Sequence, residues 1–112
     1  FILQLKQRYR VFLLSNTNPI HFPYIVETQF CKNGNALSDF FDRCFLSYQL
    51  KMSKPHAEIF RYLLESENIM AEETLFIDDG RANIETTDSL GFQTYWAKPF
   101  DSFEKLKYQL LL

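Results

Sequence analysis

The sequence has 112 residues, the length of one domain. Hydrophobic residues make up 46% and charged residues 23%, a balance that argues against disorder, and the 17% aromatic content calls for a core or a partner to cover it. Twelve Lys and Arg against fourteen Asp and Glu leave a net charge of -2, which removes the electrostatic case for nonspecific nucleic-acid or polybasic membrane binding, and no apolar run approaches the roughly 18–20 residues of a membrane helix.

Residues 1–8 mix Phe1, Leu3 and Leu5 with polar side chains and read as the last turns of a helix. Residues 9–14 are apolar, β-branched and aromatic and stop at Ser15-Asn16-Thr17-Asn18-Pro19, the pattern of a buried strand followed by a loop. Residues 20–30 are expected to be helical with Pro23 interrupting them, and Lys32-Asn33-Gly34-Asn35 has turn chemistry. A short apolar segment covers 37–41, and 44–48 reads as a second buried strand. Lys54-Pro55 opens the clearest helix: Pro55 suits a first turn, and Ile59, Phe60, Leu63 and Leu64 share one face. After a polar connection over 67–73, residues 74–77 form a third strand stopped by Asp78-Asp79-Gly80. Residues 83–90 are a short helix with Ile84, Thr87 and Leu90 on one side and Gly91 placed to cap it. Residues 92–97 are a fourth strand, Trp96 and Tyr48 being read as core side chains, and Phe103, Leu106 and Leu110 mark a final amphipathic helix.

This alternation implies an α/β fold with a parallel sheet and helices on both faces. No internal repeat or linker interrupts it. Cys31 and Cys44 have neither metal-site spacing nor a secreted-type framework and read as reduced structural thiols, and no signal peptide opens the chain, which together fit the cytoplasm. Phe1, not Met, stands first, inside a helical pattern, so the natural chain is expected to start upstream.

In open parallel sheets ligands bind beyond the carboxyl ends of the strands. Ser15-Asn16-Thr17 follows the first strand, Lys54 follows the second, and Asp78-Asp79 follows the third, so parallel strands would bring the three clusters to one sheet edge. Two adjacent carboxylates offer hard oxygen ligands to Mg²⁺. A hydroxyl with nearby backbone N–H groups holds phosphate oxygens, and a Lys ammonium offsets their charge. Ser15-Asn16-Thr17 alone reads as a turn and Lys54-Pro55 alone as a solvated helix entry, while an apolar strand ending in Asp78-Asp79 is balanced between turn and site; the three together, in this order, favour a site. His21 and His56 have no metal-like partner spacing.

Three segments carry a resemblance to a known family: Leu13-Leu14-Ser15-Asn16-Thr17-Asn18, Leu46-Ser47 with Met52-Ser53-Lys54-Pro55-His56-Ala57-Glu58-Ile59-Phe60, and Leu75-Phe76-Ile77-Asp78-Asp79-Gly80-Arg81-Ala82-Asn83-Ile84. Together they resemble the haloacid dehalogenase (HAD)-like hydrolases, within them the small sugar-phosphate phosphatase branch that includes glucose-1-phosphate phosphatase. The resemblance implies a three-layer, Rossmann-like parallel sheet and a Mg²⁺-dependent phosphatase working through an aspartyl-phosphate on a small phosphorylated metabolite. It assigns phosphate binding to Ser15, with Asn16 beside it, and the Lys that steadies nucleophile and phosphate to Lys54, with Lys51 a weaker match. It assigns the Mg²⁺ pair to Asp78 and Asp79, Asp79 as the direct ligand and Asp78 behind it, and a supporting role to Asn83.

The family's nucleophilic Asp-x-Asp is absent from the sequence, as is the cap that selects substrate. The expectation is therefore residues 1–112 as the C-terminal part of a HAD-like core, about four strands with flanking helices, lacking the central strand that carries Asp-x-Asp. Such a chain should have no turnover alone and should be marginally stable or need a complementing strand, because unpaired buried backbone groups cost roughly 1–3 kcal/mol each. A phosphorelay receiver gathers similar residues, but its acidic pair follows the first strand, whereas here Ser15 comes first and Asp78-Asp79 late. The alternative is a noncatalytic binding or regulatory domain derived from the same fold, which would fold alone.

Overall fold

In this computed structural model all 112 residues, Phe1–Leu112, are described. The elements run α1 (Ile2–Lys6), β1 (Phe12–Ser15), α2 (His21–Ile25) continuing as a π-helix over Val26–Phe30, a 3₁₀ turn at Leu37–Asp39, β2 (Arg43–Leu46), α3 (Ser47–Leu50), α4 (Ala57–Glu67), a 3₁₀ turn at Ala71–Glu73, β3 (Leu75–Asp78), α5 (Arg81–Ser89), β4 (Gln93–Trp96) and α6 (Glu104–Gln109). The chain divides into two compact units, Phe1–Lys51 with Ser102–Leu112, and Met52–Asp101. The expected α/β class and four strands are present. The strands form two parallel two-stranded ladders, β1 with β2 and β3 with β4.

In the first unit, the register pairs Phe12 with Arg43 and Ser15 with Leu46. Asp42 fastens the entry to this ladder. Its carboxylate accepts from Lys6 Nζ at 2.7 Å and from the Val11 N–H at 2.7 Å, and its own N–H donates to the Val11 carbonyl at 2.7 Å. Phe41, Phe45, Leu46 and Leu106 are buried, Phe12 meets Phe45 edge-on at 6.1 Å, and Phe30 packs against Phe41 at 5.2 Å. Pro23 does not break α2. It is the third residue of that helix, where the backbone nitrogen has no intrahelical acceptor to lose, and the Asn18 side chain caps the free N–H groups of Ile20 and His21.

The second strand is shorter than expected. Ser47 and Tyr48 belong to α3, not to β2. The Ser47 hydroxyl accepts from the Thr17 N–H at 2.9 Å and donates to the Thr17 carbonyl at 3.1 Å, so a side-chain clasp replaces further ladder pairing.

In the second unit, α4 begins at Ala57, two residues beyond Pro55. Ser53–His56 is a turn closed by the His56 N–H on the Ser53 carbonyl at 3.0 Å, and Lys54 lies within it. The core gathers Ile59, Phe60 and Leu63 from α4, Ile84 and Thr87 from α5, and Ala71 and Phe92. Phe60 packs edge-on against Phe76 at 5.3 Å and Phe92 at 6.0 Å. Fully burying a side chain of this size stabilises by roughly 1.5–3 kcal/mol. The Thr87 hydroxyl, completely buried, donates within its own helix, 2.9 Å from the Asn83 carbonyl and 3.1 Å from that of Ile84. Gly91, at φ 92°, ends α5 as expected: its N–H reaches the Asp88 carbonyl at 3.1 Å and the Phe92 N–H the Thr87 carbonyl at 3.0 Å.

Candidate active site

β3 delivers Asp78 at its carboxyl end, and one residue past the Asp78-Asp79-Gly80 turn α5 begins. This spacing puts Asn83 in the first helical turn, facing back to the strand end. The Asp78 carboxylate accepts three hydrogen bonds: from Lys54 Nζ to Oδ1 at 3.1 Å, from Asn83 Nδ2 to Oδ2 at 2.6 Å, and from the Gly80 N–H to Oδ2 at 3.1 Å. The Lys54 and Asp78 side chains are only 11% and 14% exposed, so water screens this pair far less than a surface pair. Gly80 is required by space. A Cβ there would stand 2.7 Å from Asn83 Nδ2 and 3.0 Å from Asp78 Oδ2.

Asp79 has the opposite environment. It is exposed, and its backbone carbonyl accepts from the Trp96 indole N–H at 2.9 Å. The β3–β4 register brings this about, since Asp78 pairs with Trp96 and the Ala97 N–H donates to the Asp78 carbonyl at 2.9 Å. Trp96 is not a core residue as the sequence suggested. It is 53% exposed and, with Asp79, Ala97, Lys98 and Pro99, lines a recess of about 410 Å³. Behind it the Tyr95 hydroxyl donates to Asp101 Oδ2 at 2.9 Å, a bond that holds the Tyr95 phenol above its ordinary value.

The structure thus brings Lys54, Asp78 and Asn83 together in the second unit, with Asp79 next along the chain. In the first unit, Ser15 is partly buried as the last residue of β1, opposite Leu46, and Asn16 is exposed beside it. Lys51 is exposed and left-handed at the end of α3, with φ 57°. Two neighbouring side chains are given no role by the sequence reading. Ser47, which anchors the loop after Ser15, was absorbed into an apolar run, although a polar residue closing such a run is a signal for a strand end. Trp96 gave no signal, because an aromatic residue in a strand pattern reads as core. Cys31 and Cys44 are free thiols, and burial pushes the Cys44 thiol up, which keeps it protonated and a poor nucleophile.

No three His, Cys, Asp or Glu side chains gather as a complete metal cluster. Asp78 has both carboxylate oxygens committed to donors. Asp79 presents a hard oxygen donor to solvent, and this set fits a Mg²⁺ ion, which keeps several waters and takes one or two carboxylates together with substrate phosphate.

The sequence profile of the haloacid dehalogenase-like hydrolases matches residues 1–91. The chain belongs to that family. It is 42% identical over 95 residues to D-ribitol-5-phosphate phosphatase of Bacteroides thetaiotaomicron, a match covering 85% of this chain and 46% of that protein. A HAD family enzyme from the same organism, crystallised with magnesium and inorganic phosphate, superposes with a TM-score of 0.89 at 38% identity, covering 94% of this chain and 53% of the other. A HAD-like family hydrolase from Porphyromonas gingivalis superposes with a TM-score of 0.87 at 39% identity, covering 98% of this chain and 54% of the other. The chain spans about half the length of these HAD relatives.

Proposed function

We propose that this chain is the C-terminal part of a Mg²⁺-dependent phosphoric monoester hydrolase acting on a small phosphorylated sugar or sugar alcohol. The observation that carries the reading is the clasp of Asp78 by Lys54, Asn83 and Gly80, with the neighbouring Asp79 carboxylate left to solvent. A phosphatase site needs a cation-binding oxygen and a fixed ammonium, and the held Lys54 ammonium beside a solvent-facing Asp79 carboxylate supports this reading. The relatives described above add support, one being named a sugar-alcohol phosphate phosphatase and another crystallised with magnesium and phosphate.

Asp79 is the side chain we assign to the cation and Asp78 the group that orients the loop behind it. Lys54 holds Asp78 and supplies positive charge toward the transferring phosphoryl group. Ser15, with Asn16 beside it, donates to phosphate oxygens. Bound Mg²⁺ would neutralise charge on the phosphate oxygens. The nucleophile is a carboxylate of an Asp-x-Asp segment outside this sequence. Its oxygen bonds to phosphorus as the bond to the ester oxygen breaks, and water then releases phosphate. The chain alone accordingly has no turnover. No helix is long and apolar enough to cross a membrane. The free thiols Cys31 and Cys44 fit a reducing compartment, and we assign the reaction to the cytoplasm.

The missing Asp-x-Asp favours one second reading, a noncatalytic binding or regulatory domain of the same fold. Hydrolysis of p-nitrophenyl phosphate with Mg²⁺, by this chain alone and by the chain mixed with a peptide carrying the Asp-x-Asp strand, separates the two. Activity in the mixture only, lost on Asp79→Ala, is the expected result. Activity from the chain alone that Asp79→Ala leaves intact would sink the assignment, and silence in both arms favours the binding domain.

A further inference from the structure

The hydrogen bonds of the acidic turn are unevenly shared. Lys54 Nζ, Asn83 Nδ2, the Gly80 N–H and the Ala97 N–H all converge on Asp78, and the Gly80 carbonyl accepts the Ile84 N–H at 3.1 Å as α5 begins. Asp79 lies between these two anchored residues and is fixed by the Trp96 indole N–H at 2.9 Å from its carbonyl. The Asp79 carboxylate and the Asp79 carbonyl share one Cα, so the orientation of this peptide sets the Cα–Cβ direction from which the carboxylate extends. Trp96 is also an uneconomical residue for packing. More than half of it is exposed, and a solvated indole N–H would find water without a protein acceptor.

We propose that Trp96 is a positioning residue for the divalent cation: its indole N–H orients the Asp79 peptide and so pre-aims the Asp79 carboxylate. The inference rests on the reading of Asp79 as the cation ligand. It assigns Trp96 no contact with the cation or the phosphate. Outer residues that orient a ligand typically contribute tenfold or more to metal affinity. Loss of the indole N–H is therefore expected to weaken cation binding by roughly tenfold while leaving the β3–β4 ladder formed.

The test uses the full chain and Mn²⁺ as a paramagnetic stand-in for Mg²⁺, read as broadening of amide resonances, which detects weak binding. Two variants remove the N–H: Trp96→Phe, and replacement of Trp96 by benzothienylalanine, which exchanges N–H for sulfur and keeps the bicyclic ring. The expected result is broadening centred on Asp79 and Gly80 in the wild type, abolished by Asp79→Asn. Both Trp96 variants should show a roughly tenfold higher Mn²⁺ midpoint with the cross-strand NOEs of the β3–β4 ladder retained. A midpoint equal to wild type in the benzothienylalanine protein overturns the role of Trp96 and leaves the cation reading standing. No broadening in the wild type, or broadening that survives Asp79→Asn, overturns the cation reading and the inference with it.

Discussion

Asp78 illustrates how a largely covered carboxylate is stabilised. Its three donors come from a turn, a helix and the backbone, so removing any one leaves the others holding a partly unmatched charge. Asn83→Leu is expected to lower stability by about 1–3 kcal/mol. Gly80→Ala acts on the same bond from the other side, since its Cβ would displace Asn83 Nδ2, 2.7 Å away. The double variant should therefore lose clearly less than the sum of the singles, a coupling that urea unfolding of the four proteins would measure. Part of this cluster was legible in the sequence, because Asp78-Asp79-Gly80 closes an apolar run and Lys54 stands just before a helix, whereas Asn83 was pointed to only by the resemblance to a family. The difference in surroundings between the two aspartates was not legible from the bare pattern. It depends on which carboxylate faces the donors, and only the resemblance to a family ordered them. Trp96 was misread for a related reason: strand periodicity gives a residue's face, not whether anything covers that face.

Among the elements, β1 and β2 show how a short ladder is pinned at both ends. At the far end Ser47 clasps Thr17, and at the entry Asp42 binds Lys6 and Val11. The sequence located both strands but not their ends, because side-chain bonds, not hydrophobicity, end them. The hydrogen bond from Lys6, then that from Val11, holds the Asp42 carboxyl below its ordinary value of 3.8, with desolvation acting weakly against them. A carboxylate lowered in the folded state stabilises fully above its unfolded value, and the contribution fades as pH falls through the folded one. Wild type is thus expected to exceed Asp42→Asn in stability at neutral pH, by no more than about 1 kcal/mol for so exposed a pair. The gap should close as pH drops below 3.8, which urea melts across the acid range would follow.

On the scale of the whole molecule, the chain is two small units, each with its own aromatic cluster. Units of roughly 50–60 residues bury a modest fraction of their surface, so one large side chain is a large share of each core. Phe60→Ala, which removes the centre of the Phe60–Phe76–Phe92 group, should cost about 3–5 kcal/mol. Amide hydrogen exchange in β3 and β4 is expected to accelerate accordingly, and unchanged protection there would show that the cluster does not hold the ladder. Most helices and strands followed from periodicity, whereas α3 did not, because Ser47 and Tyr48 close an apolar run that reads as strand. Trp96 also gives the molecule an optical property. It is the only tryptophan in the chain and stands half in solvent. Emission excited selectively at tryptophan should be red-shifted and quenched by acrylamide in the native state, and all of it originates beside the turn that follows Asp78.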